Sequence, residues 1–390
     1  MTDASSHPEA GATAQGDASP PAPNGAEPPR IERQERLPAA EEVTEVAEGI
    51  FRMQLPIDLP GLGHVNCYAL EDERGFTVVD PGYPDPETAA ALETRFRSIG
   101  ASISRVHTVF VTHSHPDHFG GAGRLRYTND ADIMAHRSFT TRFDPHDDSV
   151  ELETLDPAKA AIAGALAEAV LGDGPIPDFA ARRAPWGGSI PVPSRHEIEQ
   201  MRSWDRDTRW GFVHNEPNVR IDHDQVIRLG RRDFVAVHTP GHTGDHLCLV
   251  DLADGVLLCG DHVLPTITPH ISGMTASPDS LAEFFGALDV VRRLPDIRLA
   301  LPAHGHPIDD VVGRVDAIER HHIERLEQIE RIGAELGTGT VTEYSQRLFA
   351  PRSWGAMAES ETYAHLEHLR NVGRALVGER DGFLTYEIVD

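Results

Sequence analysis

The stretch THSHPDHFGG, Thr112 to Gly121, follows directly on the apolar run Val109-Phe110-Val111 and sets three histidines and an aspartate within six positions. Histidine fills 22 of 390 positions, so a fixed His-x-His-x-Asp-His arrangement is expected by chance about 0.005 times in such a chain. A strand that ends in this way constrains the fold and the chemistry together. Imidazoles two residues apart, leaving a strand end in a turn, converge on one cation, while the adjacent Asp117-His118 pair faces a second. Gly120-Gly121 is expected to let the chain turn tightly beneath them.

One loop does not supply enough ligands for two metals. Three further apolar runs end in the missing residue types: HTPGHTGDH with His242, LLCGDH with Asp261, and LPAHGHP with His304. Each alone would read as a packed or solvated residue, whereas four such strand ends in one chain argue jointly for a site. Asp80, in VVDPG, ends another strand-like run, and His246 lies on the strand after the third stretch.

The rest of the body fits a layered α/β fold. FRMQL, NCYAL and FTVVDPG read as strands before a helix, PETAAALETRFRSIG, that stops at Gly100. VHTVFVTH, DIMAH, DFVAVHT, HLCLVD, GVLLCGD and RLALPAHG continue the strand pattern, several ending in His or Asp, where such folds place sites. Between about residues 144 and 218 the alternation breaks: a helix starts at Pro157, with Gly172 past its end, before a Pro/Gly-rich run. This insertion, with Trp186, Trp204 and Trp210, is expected to be a lid.

This set of motifs resembles the metallo-β-lactamase superfamily, in the hydrolase branch that includes glyoxalase II, over about Glu45 to Pro307. The resemblance implies an αββα sandwich. It assigns His113, His115 and His242 to one metal, Asp117, His118 and His304 to the other, and Asp261 as a bridge. It makes Asp80 a carboxylate that orients a ligand imidazole and His246 a packing residue beside the ligands. Two divalent ions are implied, zinc first, with iron or manganese as alternatives for the same ligands. The activity implied is hydrolysis by a metal-bridged hydroxide, with Asp117 handling the proton. Asp261 stands where one major branch of true β-lactamases carries Cys, which favours a small-molecule ester or thioester over an antibiotic. His270 and Trp210 are candidate pocket residues.

Three expected divisions follow: a disordered tail over 1–37, a hydrolase domain over 38–310, and a unit over 311–390 made of a long helix, two short helices and a hairpin. That last unit resembles the winged helix of the LACTB2-like branch, which adds a metal-dependent nuclease or phosphodiesterase as the alternative function. A lactonase and a non-catalytic metal-binding protein are the remaining readings.

Composition decides among partners. A net charge of −27 disfavours nucleic acid, leaving a small-molecule substrate. No apolar stretch reaches membrane-spanning length. Cys67, Cys248 and Cys259 all sit in apolar runs, as reduced buried thiols do, which points to the cytoplasm. A homo-oligomer through the C-terminal unit is compatible with all of this.

Overall fold

The computed structural model describes residues 33–59, 61–141, 157–179, 182–190 and 192–389. Two sheets form its centre. The first contains β1 (Val43–Ala47), β2 (Ile50–Leu59), β3 (Leu62–Glu71), β4 (Phe76–Val79), β5 (Val106–Phe110) and β6 (Asp132–His136) in spatial order. After a separate two-residue pair, β7 (Arg182–Arg183) and β8 (Ser189–Ile190), the sheet is completed by β9 (Val219–Ile221). The second sheet runs β10 (Val226–Leu229), β11 (Arg232–His238), β12 (Leu247–Asp251), β13 (Val256–Gly260) and β14 (Leu299–Pro302).

Burial follows position in the sheet. Every residue of β12 and β13 is buried, as central strands covered on both faces must be, whereas β10 alternates exposed and buried. Ile50, Tyr68, Val79 and Phe110 of the first sheet pack against Phe234, Leu249, Leu258 and Leu301 of the second in one continuous core. Helices cover both outer faces. On the first lie α1 (Pro86–Ser98), capped by Asp85 on the Thr88 N–H at 2.9 Å, and, after the short α2 (Pro116–Phe119), α3 (Ala122–Asn129). They are joined there by α4 (Pro157–Leu171), α5 (Arg195–Ser203) and α6 (Arg206–Val213). The second is covered by α7 (Ser280–Arg292) and the start of α8 (Val311–Leu336). This is the αββα sandwich expected.

Beyond it, β15 (Thr338–Thr340), α9 (Val341–Leu348), α10 (Ala356–Asn371), β16 (Ala375–Arg380) and β17 (Phe383–Ile388) form a C-terminal module. The expected hairpin is there, and the unforeseen β15 adds a third strand on β17. A boundary at residue 311 does not separate the two cores. Val311, Val315 and Ile318 of α8 belong to the sandwich, Ile329 belongs to the module, and Leu326 touches both.

Two expectations change. Of the tail over 1–37, residues 1–32 lie outside the described residues, but 33–37 pack: Gln34–Arg36 form a short 3-10 helix and Glu35 is fully buried. The expected lid, about 144–218, falls partly outside the described residues, at 144–156, 180–181 and 191, and much of its described part is built into cores. Leu166, Val170, Ile198 and Phe212 join the core under the first sheet, with Trp204 edge-on to Phe212 at 5.8 Å. Trp186 is buried in the C-terminal module instead, donating to Glu359 at 3.1 Å. A run of helix and Pro/Gly punctuation looks the same in sequence whether it covers a cleft or a sheet face.

Candidate metal centre

The chain returns to one edge of the sandwich at the ends of β4, β5, β13 and β14 and in the β11–β12 loop. The meeting of the sheets there is fixed by main-chain bonds, Leu247 N–H to Thr112 O at 2.8 Å and Asn66 N–H to Ala303 O at 2.6 Å, while Ala303 N–H to Gly260 O at 2.9 Å extends the β13–β14 pairing. All seven proposed ligands come together at this edge.

They fall into two groups whose donor atoms lie within 4.8 Å of one another: His113, His115, His242 and Asp261, and Asp117, His118 and His304. Asp261 Oδ2, 3.5 Å from His242 Nε2 of its own group, also faces the second group at 3.6 Å from His118 Nε2, and Oδ1 lies 3.5 Å from His304 Nε2. It occupies the place of a shared ligand. His113 Nε2, His118 Nε2, His304 Nε2 and Asp261 Oδ1 are buried without any hydrogen-bond partner. Orphaned buried polar atoms are costly, and here they are lone pairs aimed at common points, a donor set of imidazole and carboxylate that suits divalent transition metals.

The opposite ring nitrogens show what holds those lone pairs outward. Asp80 Oδ2 accepts from His118 Nδ1 at 2.9 Å and from the Thr112 hydroxyl at 2.7 Å, and Thr112 Oγ1 in turn lies 3.1 Å from His113 Nδ1. With its proton given to Asp80, the Thr112 hydroxyl accepts from His113. One carboxylate thus orients an imidazole of each group, fixing the tautomer that leaves Nε2 bare. Asp80 Oδ1 also takes the Thr112 N–H at 2.8 Å, and the residue sits at φ 53°. A left-handed non-glycine residue costs about 1–3 kcal/mol, and these three bonds hold it there.

His304 Nδ1 donates to His64 O at 2.9 Å, and His242 Nδ1 donates to His270 O at 2.6 Å. With its Nδ1 proton given to His270 O, His242 Nε2 accepts from His115 Nδ1 at 3.1 Å. His246 Nε2 accepts the Asp261 N–H at 3.1 Å while its Nδ1 faces the Thr239 hydroxyl at 2.7 Å, so this histidine anchors the main chain of the shared carboxylate. Gly260, at φ 48°, is required beside it: a Cβ there would stand 2.6 Å from His246 Nε2 and 2.9 Å from Thr112 Oγ1. Gly120 and Gly121 serve differently from the tight turn expected. Both have ordinary helical φ, and a Cβ would meet Pro84 at 2.3 Å and Pro81 O at 2.6 Å, so they permit close approach.

Electrostatics separates the groups. Burial pushes His113 well below the ordinary imidazole range and His115 down to about 3. His118, against the same burial, is raised by Asp117, Asp261 and Asp80, and His304 is raised by Asp261 and Asp117. Burial pushes the Asp117 carboxyl up, but His118 and His304 more than offset this and hold it at about 2.

Several residues correct the sequence reading. His270 contributes its main-chain oxygen, and its ring turns away to Glu361 at 3.4 Å. Trp210 does not join the cluster: it stacks on Tyr127 at 6.5 Å, in the wall of a separate surface cavity of about 570 Å³ lined also by Arg126, His214 and Glu216. Thr112 and His64 were missed. Thr112 adjoins the first histidine and could have been suspected, whereas His64 acts through a carbonyl that any residue possesses.

A third group, His322, Glu361 and His365, also has donor atoms within 4.8 Å. Its own bonds tie up most of its donor atoms, leaving His322 Nε2 buried without a hydrogen-bond partner. His365 Nδ1 donates to Glu361 O at 2.7 Å, His322 Nδ1 then donates to His365 Nε2 at 3.1 Å, and the Glu361 carboxylate is held by Arg325.

Comparison with known proteins agrees with this geometry. The sequence profile of the Metallo-beta-lactamase superfamily matches residues 60–335. A beta-lactamase-like protein 2 homolog of Caenorhabditis elegans is 30% identical over 303 residues, covering 77% of this chain and 74% of that protein. A metallo-beta-lactamase family protein of Thermus thermophilus superposes with a TM-score of 0.66 at 25% identity, over 88% of this chain and 100% of that one. Other curated relatives are matched over 32% to 64% of their own length. An atrochrysone carboxyl ACP thioesterase of Cryptosporiopsis sp. is 29% identical over 133 residues, 31% of this chain and 39% of that protein.

Proposed function

Because the chain belongs to the metallo-β-lactamase superfamily, we propose that it is a metal-dependent hydrolase of a small-molecule ester or thioester, holding two divalent ions, zinc first. The observation that carries this reading is the convergence of partnerless buried lone pairs on two groups joined by Asp261. His113, His115 and His242 would hold one ion and Asp117, His118 and His304 the other, with Asp261 shared. Such ions supply an activated water near neutral pH and polarise the substrate oxygen, so no serine or cysteine nucleophile is needed.

The chain's own residues do the rest. His113, His118 and His304 are at most 1% exposed, while Asp117, Asp261 and His242 reach 5–7% and His115 is half-buried. Substrate therefore approaches from the side of His115 and Asp261, and water is excluded from the back of the site. Asp117, a carboxylate at neutral pH, accepts a proton at its oxygen and returns it to an alkoxide leaving group; a thiolate departs without one. Cys259 takes no part: its buried thiol faces Val263 O at 3.3 Å in the outer core.

Similarity to the acyl-carrier thioesterase supports the thioester class. The nuclease alternative, which a winged-helix reading of the C-terminal module invites, is weakened by charge. Arg370, Arg374 and Arg380, the basic residues offered for nucleic acid, are already paired with Glu367 at 2.7 Å, Glu330 at 2.7 Å and Glu343 at 2.6 Å. Purified protein incubated with an acyl-thioester and ester panel and with single-stranded RNA, each with and without chelator, tests the reading. Chelator-sensitive thioester or ester cleavage is expected. Cleavage of RNA alone would reverse the choice.

A further inference from the structure

The two groups of ligands are not supported by the same part of the molecule. His118 is oriented by Asp80 after β4, and His304 by His64 O on β3, both inside the sandwich. His242 instead donates to His270 O, in the stretch between β13 and α7, and that stretch is tied to the C-terminal module. Gly273 N–H donates to Ser360 Oγ at 3.0 Å, His270 Nδ1 faces Glu361 Oε2 at 3.4 Å, Asn371 Nδ2 donates to Pro278 O at 2.7 Å, and His368 Nδ1 faces Asp279 Oδ1 at 3.1 Å. All four module residues lie on α10. Glu361 is the member nearest the ligand: 4% exposed, it is held on its other oxygen by Arg325 of α8. It is the ring partner of the residue whose carbonyl fixes His242.

We infer that Glu361 is a positioning residue for the metal centre: it sets the His270 carbonyl that orients His242, so that the C-terminal module governs occupancy of the His113–His115–His242 half and not of the Asp117–His118–His304 half. The inference rests on the two-metal reading above. A ligand imidazole whose second nitrogen loses its partner is free to rotate and to change tautomer, which lowers metal affinity by about 10- to 100-fold. That effect reaches one ion only, because the other half draws no orienting contact from the His270 stretch or from α10.

The test uses the full chain, stripped of metal with a chelator and titrated with cobalt(II), followed by calorimetry and by the visible ligand-field bands. The wild-type chain is expected to take two equivalents. Glu361→Ala is expected to keep one equivalent at wild-type affinity, to bind the other about 10- to 100-fold more weakly, and to lose part of the ligand-field signature. Glu361→Gln, which retains an acceptor for the His270 ring, restores most of it. Glu367→Gln, on the same helix but bonded to Tyr386, leaves both equivalents unchanged. Two wild-type equivalents in Glu361→Ala, equal weakening of both, or the same loss in Glu367→Gln would each overturn the inference. Failure of the wild-type chain to bind cobalt would bring down the two-metal reading itself, an outcome distinct from a defect confined to the variants. Should Glu361→Ala not fold, His270→Ala removes the ring, keeps the carbonyl, and must show the same loss of one equivalent.

Discussion

The half of the proposed metal centre built on Asp117, His118 and His304 and the half built on His113, His115 and His242 both present buried imidazoles, yet they are secured differently. In the first, each histidine's second nitrogen meets a group of the sandwich: the Asp80 carboxylate or the His64 carbonyl. In the second, His113 leans on Asp80 through Thr112, and His242 depends on a carbonyl outside the strands. Ligands placed alike by strand ends can therefore differ in what keeps them aimed. The inner half inherits the rigidity of two packed sheets, and the outer half that of a tethered stretch.

The largest effect should come from the residue the halves share. Asp261→Ala removes the carboxylate facing His118, His242 and His304 at 3.5–3.6 Å, and metal analysis of the purified variant should give fewer than one ion per chain. Retention of two would refute its shared role. Next comes Asp80→Ala, which frees one imidazole in each half. Both affinities should fall, by about 10- to 100-fold each, in contrast to the one-sided loss expected for Glu361→Ala. A loss confined to the inner half would show that Thr112 alone suffices for His113.

Acid separates the supports by another route. His365, beside Glu361, is held by burial at about 4, below its ordinary 6.5. A histidine with a depressed folded value contributes stability that is present above the unfolded value and lost as pH falls through the folded one. For His365 this is about 3 kcal/mol, lost between about pH 6.5 and pH 4. Thermal melting of the metal-free chain should show Tm falling over that window, and His365→Gln should flatten the slope; an unaltered slope would mean that another group carries the acid response. The smallest effect belongs to Arg374→Ala, which breaks a pair between an exposed guanidinium and the half-buried Glu330 carboxylate. It should cost less than about 1 kcal/mol in denaturant unfolding and leave both the metals and any hydrolysis untouched. A large loss of RNA cleavage there would instead revive the nuclease reading.

The convergence of the proposed ligands was legible because metal chemistry demands particular side chains and the fold places them at the ends of apolar runs. His113 to His118 share one turn, and His242, Asp261 and His304 each close a strand or a strand-connecting loop. Asp80 was legible for the same reason, although its reach to both halves was not, since Thr112 is an unremarkable residue until its hydroxyl is placed. What stayed hidden works through the main chain or through choice of face. His64 and His270 act by carbonyls, which carry no residue signature, and the His270 ring misled toward a pocket. Trp204 and Trp210 lie only six positions apart, yet one enters a core and the other a surface cavity wall. The packing of residues 33–37 was hidden too, because Leu37 contributes its carbonyl to His64 Nδ1 at 2.9 Å from within a composition that reads as tail.

The helix α8 has a consequence for how the molecule comes apart. Its 26 residues make a rod about 39 Å long, seated in the sandwich core at one end and in the module core at the other, with Leu326 in contact with both. Neither core can melt without stripping apolar surface from the same rod. The metal-free chain should therefore unfold in a single calorimetric transition whose van't Hoff and calorimetric enthalpies agree.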